Sequence, residues 1–174
     1  MLENNGHHML YPMHDVCAFP LQSDLCSGEL YRKLHDNTVG VHLAVTPDPW
    51  FRWILDGSKT IESRFSSNRC APYGKVRSGD IVFLKKGTVS AAFCVGKVRD
   101  FDLSQHRVSD LETRYSLGIH ADHSFWTERQ EKRYCTLMQV SWLVTFPGFR
   151  IAKNDRRGWV VLREGLPHLA WAIP

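Results

Sequence analysis

Four side chains whose types and spacing could do chemistry lie in the segment GSKTIESRF, residues 57–65. A lysine withdrawn from water has a lowered pKa and can act as a base or nucleophile, and a nearby carboxylate can carry a proton. Lys59 and Glu62 are therefore the candidate catalytic pair, with Arg64 as a holder of anions and Thr60 beside them. The same groups could instead bind a ligand without chemistry, or form an ion pair that only stabilises the fold.

The segment is typical of a β-strand over residues 59–65, and a strand sends alternate side chains to opposite faces. Thr60, Glu62 and Arg64 are therefore predicted to share one face, with Lys59 at its mouth where the preceding helix ends. Glu62 and Arg64 would lie about 6.5 to 7 Å apart at their Cα atoms. At that separation they could pair with each other or jointly line a cleft that holds a phosphate or a base edge.

The neighbouring sequence predicts the elements that position this segment. A strand over 41–47 precedes a short helix over 48–57, with Pro49 in its first turn and Gly57 as its stop. Trp50, Trp53 and Ile54 are spaced to share the core-facing side of that helix. Further strands are predicted at 81–87, 89–101, 133–146 and 158–162, and helices between 108 and 132. This order predicts an α+β fold with an antiparallel sheet or small barrel.

The division of the chain follows from composition. Residues 1–40 show no sustained periodicity beyond one or two helical turns at 27–36, with Ser27 as a candidate N-cap, and are predicted to be an N-terminal extension or arm. Residues 41–165 are predicted to be one domain, and residues 166–174 a C-terminal tail. A chain of 174 residues is long enough to bury a core without disulfide staples.

Charge and cysteine content indicate the setting and the partner. Residues 41–163 hold 20 Lys and Arg against 12 Asp and Glu, a net charge of +8, which favours an anionic partner such as RNA or another nucleic acid. The five cysteines are scattered and odd in number, which indicates neither a disulfide framework nor a zinc ribbon. The sequence has no apolar run long enough for a membrane span and no signal-peptide pattern, so a cytoplasmic protein without membrane contact is expected.

With these elements in place, the segment resembles the signature of the ASCH domain family, which belongs to the PUA-like superfamily. The family motif G-x-K-x-x-E-x-R is matched by Gly57, Lys59, Glu62 and Arg64. Its later G-D pair is matched by Gly79 and Asp80, and its closing strand by residues 132–140, with Tyr134 at a frequent aromatic position. The resemblance covers roughly residues 41–162.

The resemblance implies a PUA-like small β-barrel of about five or six strands with flanking helices, and a role with RNA. It implies a ligand-binding cleft lined by Lys59, Thr60, Glu62, Arg64 and Tyr134. Some relatives cleave single-stranded RNA, and others are amidohydrolases that remove the acyl group from N4-acetylcytidine. The amidohydrolase signature is K-T-x-T-x-R, and here Glu62 stands at its second threonine.

Basic residues on loops and strand ends are predicted to form a rim around the cleft that contacts phosphates of nucleic acid. Each of them could equally be a solvated surface residue. Within the last loop, Trp159 could stack on a splayed base, although a core position is the alternative. The predicted rim consists of Arg69, Lys75, Arg77, Lys85, Lys86, Lys153, Arg156 and Arg157.

The sequence offers weaker support for metal binding and for cysteine chemistry. The run HADH at 120–123, even with His106 nearby, does not supply the three or four convergent ligands that a metal needs, so no metal or other cofactor is expected. Cys94 and Cys135 lie in apolar strands and are expected to be inert, whereas Cys70 is expected to be exposed. Three functions stay open: a module that binds RNA or a modified nucleotide, a ribonuclease or amidohydrolase of the same fold, and a regulatory domain that binds an acidic peptide.

Overall fold

The structure, a computed structural model, describes residues 25–151 and 156–166. Six strands form one mixed sheet in the order β2-β5-β4-β3-β1-β6, curled into a half-barrel with four flanking helices. This confirms the predicted α+β fold and its count of strands. The elements are α1 (Leu25–His35), β1 (Val41–Val45), α2 (Trp50–Leu55), β2 (Ile61–Ser66), β3 (Ile81–Lys86), β4 (Thr88–Asp102), α3 (Val108–Ile119), α4 (His123–Thr127), β5 (Tyr134–Phe149) and β6 (Trp159–Arg163).

The two longest strands, β4 with 15 residues and β5 with 16, form the spine of the sheet. They pair antiparallel from Val89 opposite Phe149 to Asp102 opposite Tyr134, with three register shifts between. Such irregularities bend and twist a strand, which lets a long sheet curl. All pairs are antiparallel except β1 with β3, which are parallel. The half-barrel confirms the expected small barrel, and this one parallel pair makes the sheet mixed rather than antiparallel.

The middle of the sheet is buried on both faces. In β3, Val82 and Leu84 pack into one apolar cluster, while Ile81 and Phe83 pack into a second cluster on the opposite face. Because neither face meets water, the strand needs apolar residues at consecutive positions rather than alternation. This explains the continuous apolar run IVFL.

Helix α1 covers the second of these clusters. Its residue Leu30 is buried against Val39, Val41 and Leu43, so the helix packs on the sheet through this side chain. The helix begins at Leu25, two residues before the predicted N-cap Ser27, which lies inside it; that prediction was wrong. The division into arm, domain and tail stays a prediction, and residues 1–24 and 167–174 lie outside the described residues.

Helices α3 and α4 pack beside β2 and the start of β5 and complete a third apolar cluster around Trp126 and Cys135. Gly118 lies inside α3, and the helix ends at His120, which takes the left-handed conformation with a φ of 59°. A Cβ at Gly118 would lie 2.6 Å from Cδ1 of Ile61, so α3 can approach β2 this closely only with glycine there. Within the described ranges, the helices are too short and too polar to cross a membrane.

Candidate binding cavity

The candidate segment lies at one edge of the sheet, because among the described strands β2 pairs only with β5. The strand begins at Ile61, not at residue 59 as predicted, so Lys59 and Thr60 do not follow its alternation. The amide of Lys59 donates to Trp53 O at 2.8 Å, and the amide of Thr60 donates to Gly118 O at 2.9 Å. These bonds fix both residues between the ends of α2 and α3.

Lys59 is almost fully buried, with 2% of its surface exposed. Its Nζ donates to Ile61 O at 2.8 Å and to Ile119 O at 3.2 Å, and lies 3.5 Å from Glu62 Oε2. Burial lowers the pKa of Lys59, while the charge of Glu62 opposes that shift. Three acceptors match the three protons of an ammonium group, so Lys59 is held as a fixed positive charge.

Glu62 and Arg64 continue this network, and they lie beside each other as the alternation of the strand predicted. Glu62 is 3% exposed, and its Oε1 accepts a hydrogen bond of 2.7 Å from Arg64 Nε. Both terminal nitrogens of Arg64 lie 3.2 Å from Val45 O, Nη2 donates to Thr46 Oγ1 at 3.1 Å, and Nη1 donates to Gly158 O at 3.3 Å. All five N–H groups of the guanidinium thus have protein acceptors.

These charged groups form the floor of a cavity of about 380 Å³, which we call the binding cavity. Aromatic rings of Trp50, Phe65 and Phe125 form its walls and meet edge to face, at centroid distances of 5.5 Å and 5.8 Å from Phe125. Its rim carries Lys132 and Arg129, and the guanidinium of Arg129 lies over the Phe125 ring at 3.6 Å and pairs with Glu128 at 3.2 Å. The full lining is Val45, Thr46, Pro47, Trp50, Lys59, Glu62, Ser63, Arg64, Phe65, Phe125, Glu128, Arg129 and Lys132.

A second buried network, centred on Asp80, reaches the same cavity floor. Asp80 accepts hydrogen bonds from the amides of Gly40 and Arg77, both at 2.8 Å, and from His42 Nε2 at 3.1 Å. A Cβ at Gly40 would lie 2.7 Å from that carboxylate, so only glycine fits. His42 Nδ1 in turn accepts from Trp159 Nε1 at 3.4 Å, which places the ring proton on Nε2.

Trp159 links the two networks, because the Arg64 guanidinium lies 5.4 Å from its ring centroid. The residue is buried, and its indole is committed to His42 and Arg64 rather than to solvent. No pattern in the sequence singled out His42, since one polar residue in the apolar strand VHLAV is also typical of an exposed position. Its meaning depends on Asp80, 38 residues later in the chain.

Two residues predicted to line the cleft lie elsewhere. Thr60 is exposed, and its hydroxyl donates to Gly118 O at 3.4 Å, on the outer side of the junction. Tyr134 stacks edge to face on Tyr73 at 4.9 Å, and the guanidinium of Arg69 lies over both rings. Arg133 also lies over Tyr134, at 5.8 Å. We call Arg69, Tyr73, Arg133 and Tyr134 the Tyr-Arg cluster.

The other predicted rim residues do not form one surface. Lys75 pairs with Glu164 at 2.8 Å and Arg77 donates to Gly165 O at 3.2 Å, both near the end of the sheet where β1 and β3 begin. Lys85 bonds to Gly87 O, and Lys86 pairs with Asp48. Arg156 and Arg157 are exposed just before Gly158, which accepts from Arg64, and Lys153 lies outside the described residues.

Titratable groups elsewhere form smaller local contacts. Within residues 25–151 and 156–166, no group of three or more metal-ligating side chains converges. His123 pairs with Glu112 at 2.8 Å, and the ring of His120 packs against Trp53 at a tilt of 55°. Cys94 and Cys135 are buried, and burial raises the pKa of both thiols, which fits the expectation that they are inert. Cys70 is exposed, as expected.

Comparison with known proteins identifies the fold. No family model matches the chain, and a search of curated proteins finds no match. Among solved structures, the chain is similar to a Tyr-to-Phe mutant of ZmASCH from Zymomonas mobilis, with 12% identity over 71% of this chain and 90% of that one, at a TM-score of 0.54. A Ser-to-Ala mutant of ZmASCH matches with 13% identity over 71% and 88% of the two chains, at a TM-score of 0.50. The protein therefore has the ASCH fold.

Proposed function

We propose that the protein binds single-stranded RNA, or a modified nucleotide within it, by taking one base into the binding cavity. The main support for this proposal is the cavity. It has three aromatic walls, a buried floor of Lys59, Glu62 and Arg64, and a cationic rim. Its volume of about 380 Å³ is near the lower end for small-ligand sites and suits one nucleotide better than a longer segment. Aromatic walls suit a base, because every base has a face that can stack.

The floor favours a base that carries an exocyclic amino group. Each oxygen of Glu62 accepts from one cation and keeps a free lone pair. Glutamate and aspartate accept hydrogen bonds from amino groups such as N4 of cytosine. Lys59 and Arg64 hold the carboxylate in place, so it is prepared to accept such a bond without rearrangement.

The phosphates of the bound strand would contact the basic residues at the mouth of the cavity. Lys132 on the rim is followed by Arg133, which flanks Tyr134 of the Tyr-Arg cluster together with Arg69. This surface combines cations for phosphate contact with rings for stacking, as sites for single-stranded nucleic acid do. The net charge of +8 over residues 41–163 supports the same partner, as does the likeness to the ASCH family, which is associated with RNA.

The bonding of Lys59 favours binding over catalysis by the Lys59–Glu62 pair. A nucleophile or base needs a free lone pair, and the Nζ of Lys59 already directs its three protons at Ile61 O, Ile119 O and Glu62. The carboxylate beside it holds the ammonium form. Ribonuclease or amidohydrolase activity would require this network to break first.

Salt-dependent binding of fluorescently labelled single-stranded RNA tests the proposal. We expect binding that weakens as salt rises from 50 to 200 mM, and about a tenfold loss of affinity in Lys132→Glu, where a cation at the rim becomes an anion. Lys97→Glu is the matched control, because Lys97 is an exposed lysine on β4 outside the cavity lining. Absence of binding at 50 mM salt, or equal losses in both variants, would overturn the proposal.

A further inference from the structure

A second cavity, of about 570 Å³, adjoins the binding cavity. Trp50 belongs to the lining of both, so the two cavities are neighbours. The second cavity is more open and is formed by the ends of α2 and α3 and the turn before α4. Its principal side chains are Trp50, Trp53, Leu117, His120 and Asp122.

This cavity presents flat rings and an apolar edge to the outside. Trp53 packs edge to face on Trp50 at 5.1 Å, and His120 lies against Trp53 at a centroid distance of 4.4 Å. Leu117 has 92% of its surface exposed at the cavity edge. Together they form a contiguous aromatic and apolar surface, and such surfaces mark binding sites more often than single exposed apolar residues do.

Hydrogen-bonding groups in the second cavity are largely committed to the fold. The Ser116 hydroxyl accepts from Trp126 Nε1 at 2.8 Å and donates to Glu112 O at 2.6 Å. The Oδ1 of Asp122 accepts from the amide of Phe125 at 2.9 Å, as the N-cap of α4. The cavity therefore offers a surface for stacking rather than hydrogen-bonding groups that could select a particular base. Such a surface suits an unselective contact with a planar group.

We propose that the second cavity holds the base next to the one in the binding cavity, with Trp50 between the two bases. This inference rests on the proposed function, since it assumes that the binding cavity takes one base of an RNA strand. The two cavities share a wall, so neighbouring bases of one strand could enter them from a common mouth. Proteins that bind single strands commonly stack successive bases on aromatic side chains in this way.

The proposal predicts a distinctive pattern of affinity. No lysine or arginine lines the second cavity within the described residues, so it contributes stacking without phosphate contacts. Its loss should lower affinity for dinucleotides and longer RNA, leave mononucleotide affinity unchanged, and leave the salt dependence unchanged. Loss of the binding cavity should instead weaken every ligand.

His120→Gly and Leu117→Ala test this without disturbing the fold. His120 has a φ of 59°, a conformation that glycine adopts readily, and Leu117 is almost fully exposed. We expect about a fivefold to tenfold loss of affinity for a labelled dinucleotide in His120→Gly, since one stacking partner is removed, and a smaller loss in Leu117→Ala. Leu55→Ala is the control, because Leu55 is an exposed leucine of α2 outside both linings.

The outcomes separate this inference from the proposed function. Dinucleotide affinity unchanged in His120→Gly, with Lys132→Glu still weakening binding, would overturn the second site alone. Wild-type protein that binds neither a mononucleotide nor a dinucleotide would overturn both proposals. Self-association by analytical ultracentrifugation that Leu117→Ala abolishes, with RNA binding unaffected, would assign the surface to a second copy of the chain and overturn the base site.

Discussion

Arg64 and Val45 join the two sides of the half-barrel: both terminal nitrogens of Arg64, on β2, lie 3.2 Å from the carbonyl oxygen of Val45, at the end of β1. In the sheet order β2 is one outer strand, and β1 is next to the other outer strand, β6. The same guanidinium also donates to Gly158 O, just before β6. Arg64 therefore closes the sheet where backbone pairing does not.

Replacement of Arg64 by lysine should destabilise the protein although the charge is kept. Lysine has three donors on one atom and cannot reproduce the planar fork that reaches Glu62, Val45 and Gly158 together. We expect a loss of about 2 to 4 kcal/mol in the free energy of unfolding, measured in urea. Arg99→Lys, an exposed arginine of β4, is the control and should change stability by less than about 0.5 kcal/mol.

Glu62→Gln should be more damaging than loss of the whole Lys59–Glu62 pair. The variant leaves the buried ammonium of Lys59 without its counter-charge, at a cost of about 3 to 5 kcal/mol. The double variant Lys59→Met with Glu62→Gln removes both charges and should recover part of that loss. A double-mutant cycle in urea measures this coupling, and additive losses would contradict it.

The stability of Glu62→Gln should also rise with pH. Burial already lowers the pKa of Lys59, and removal of Glu62 takes away the main opposing charge. A lysine whose folded pKa lies below its unfolded value of 10.5 binds fewer protons in the folded state, so stability increases as pH rises through that window. Unfolding at pH 7 and pH 9.5 should therefore show a smaller deficit against wild type at the higher pH.

Asp80 should contribute stability that is lost in acid. Burial would raise the pKa of Asp80, but the hydrogen bonds from His42 and from the amides of Arg77 and Gly40 outweigh it and hold the pKa below its ordinary value. A depressed carboxyl pKa stabilises the folded state above the unfolded value of 3.8, and this contribution disappears as pH falls through the folded pKa. Asp80→Asn should lose about 3 kcal/mol at pH 7 and show a shallower decline between pH 4 and pH 2.

The Tyr-Arg cluster should govern the salt dependence of RNA binding. Arg69→Ala and Arg133→Ala should each reduce the slope of log affinity against log salt by about 0.7, one phosphate contact on a single strand. Lys75→Ala is the matched control, since Lys75 is paired with Glu164 near the start of β1 and β3 and should leave the slope unchanged. Equal effects of all three variants would contradict this prediction. They would indicate a diffuse positive potential over the surface rather than phosphate contacts at Arg69 and Arg133.

Local patterns in the sequence predicted much of the fold. Pro49 and Gly57 mark the two ends of helix α2, because each acts through its own backbone. Proline fixes φ, and Gly57 takes a φ of 79°. Glu62 and Arg64 were correctly predicted to be neighbours, because strand alternation is also local. The predicted strand start at residue 59 was wrong, since the bond from the Lys59 amide to Trp53 O delays the start of the strand to Ile61.

Long-range contacts limited the rest of the prediction. Arg64 meets Gly158 across 94 positions and Trp159 meets His42 across 117, distances over which no periodicity in the chain carries information. Tyr134 was assigned to the cleft from a family pattern, but its position opposite Ser66 at the far end of β2 sets it beside Tyr73 instead. These placements depend on how the half-barrel curls.

The closure by Arg64 also determines how this side of the protein opens. A backbone ladder can fray one residue at a time, whereas a junction held by one guanidinium is either made or broken. Opening between β2 and the β1–β6 side is therefore a single cooperative event, which separates β2, still paired with β5, from Val45 and Gly158 and exposes the cavity floor.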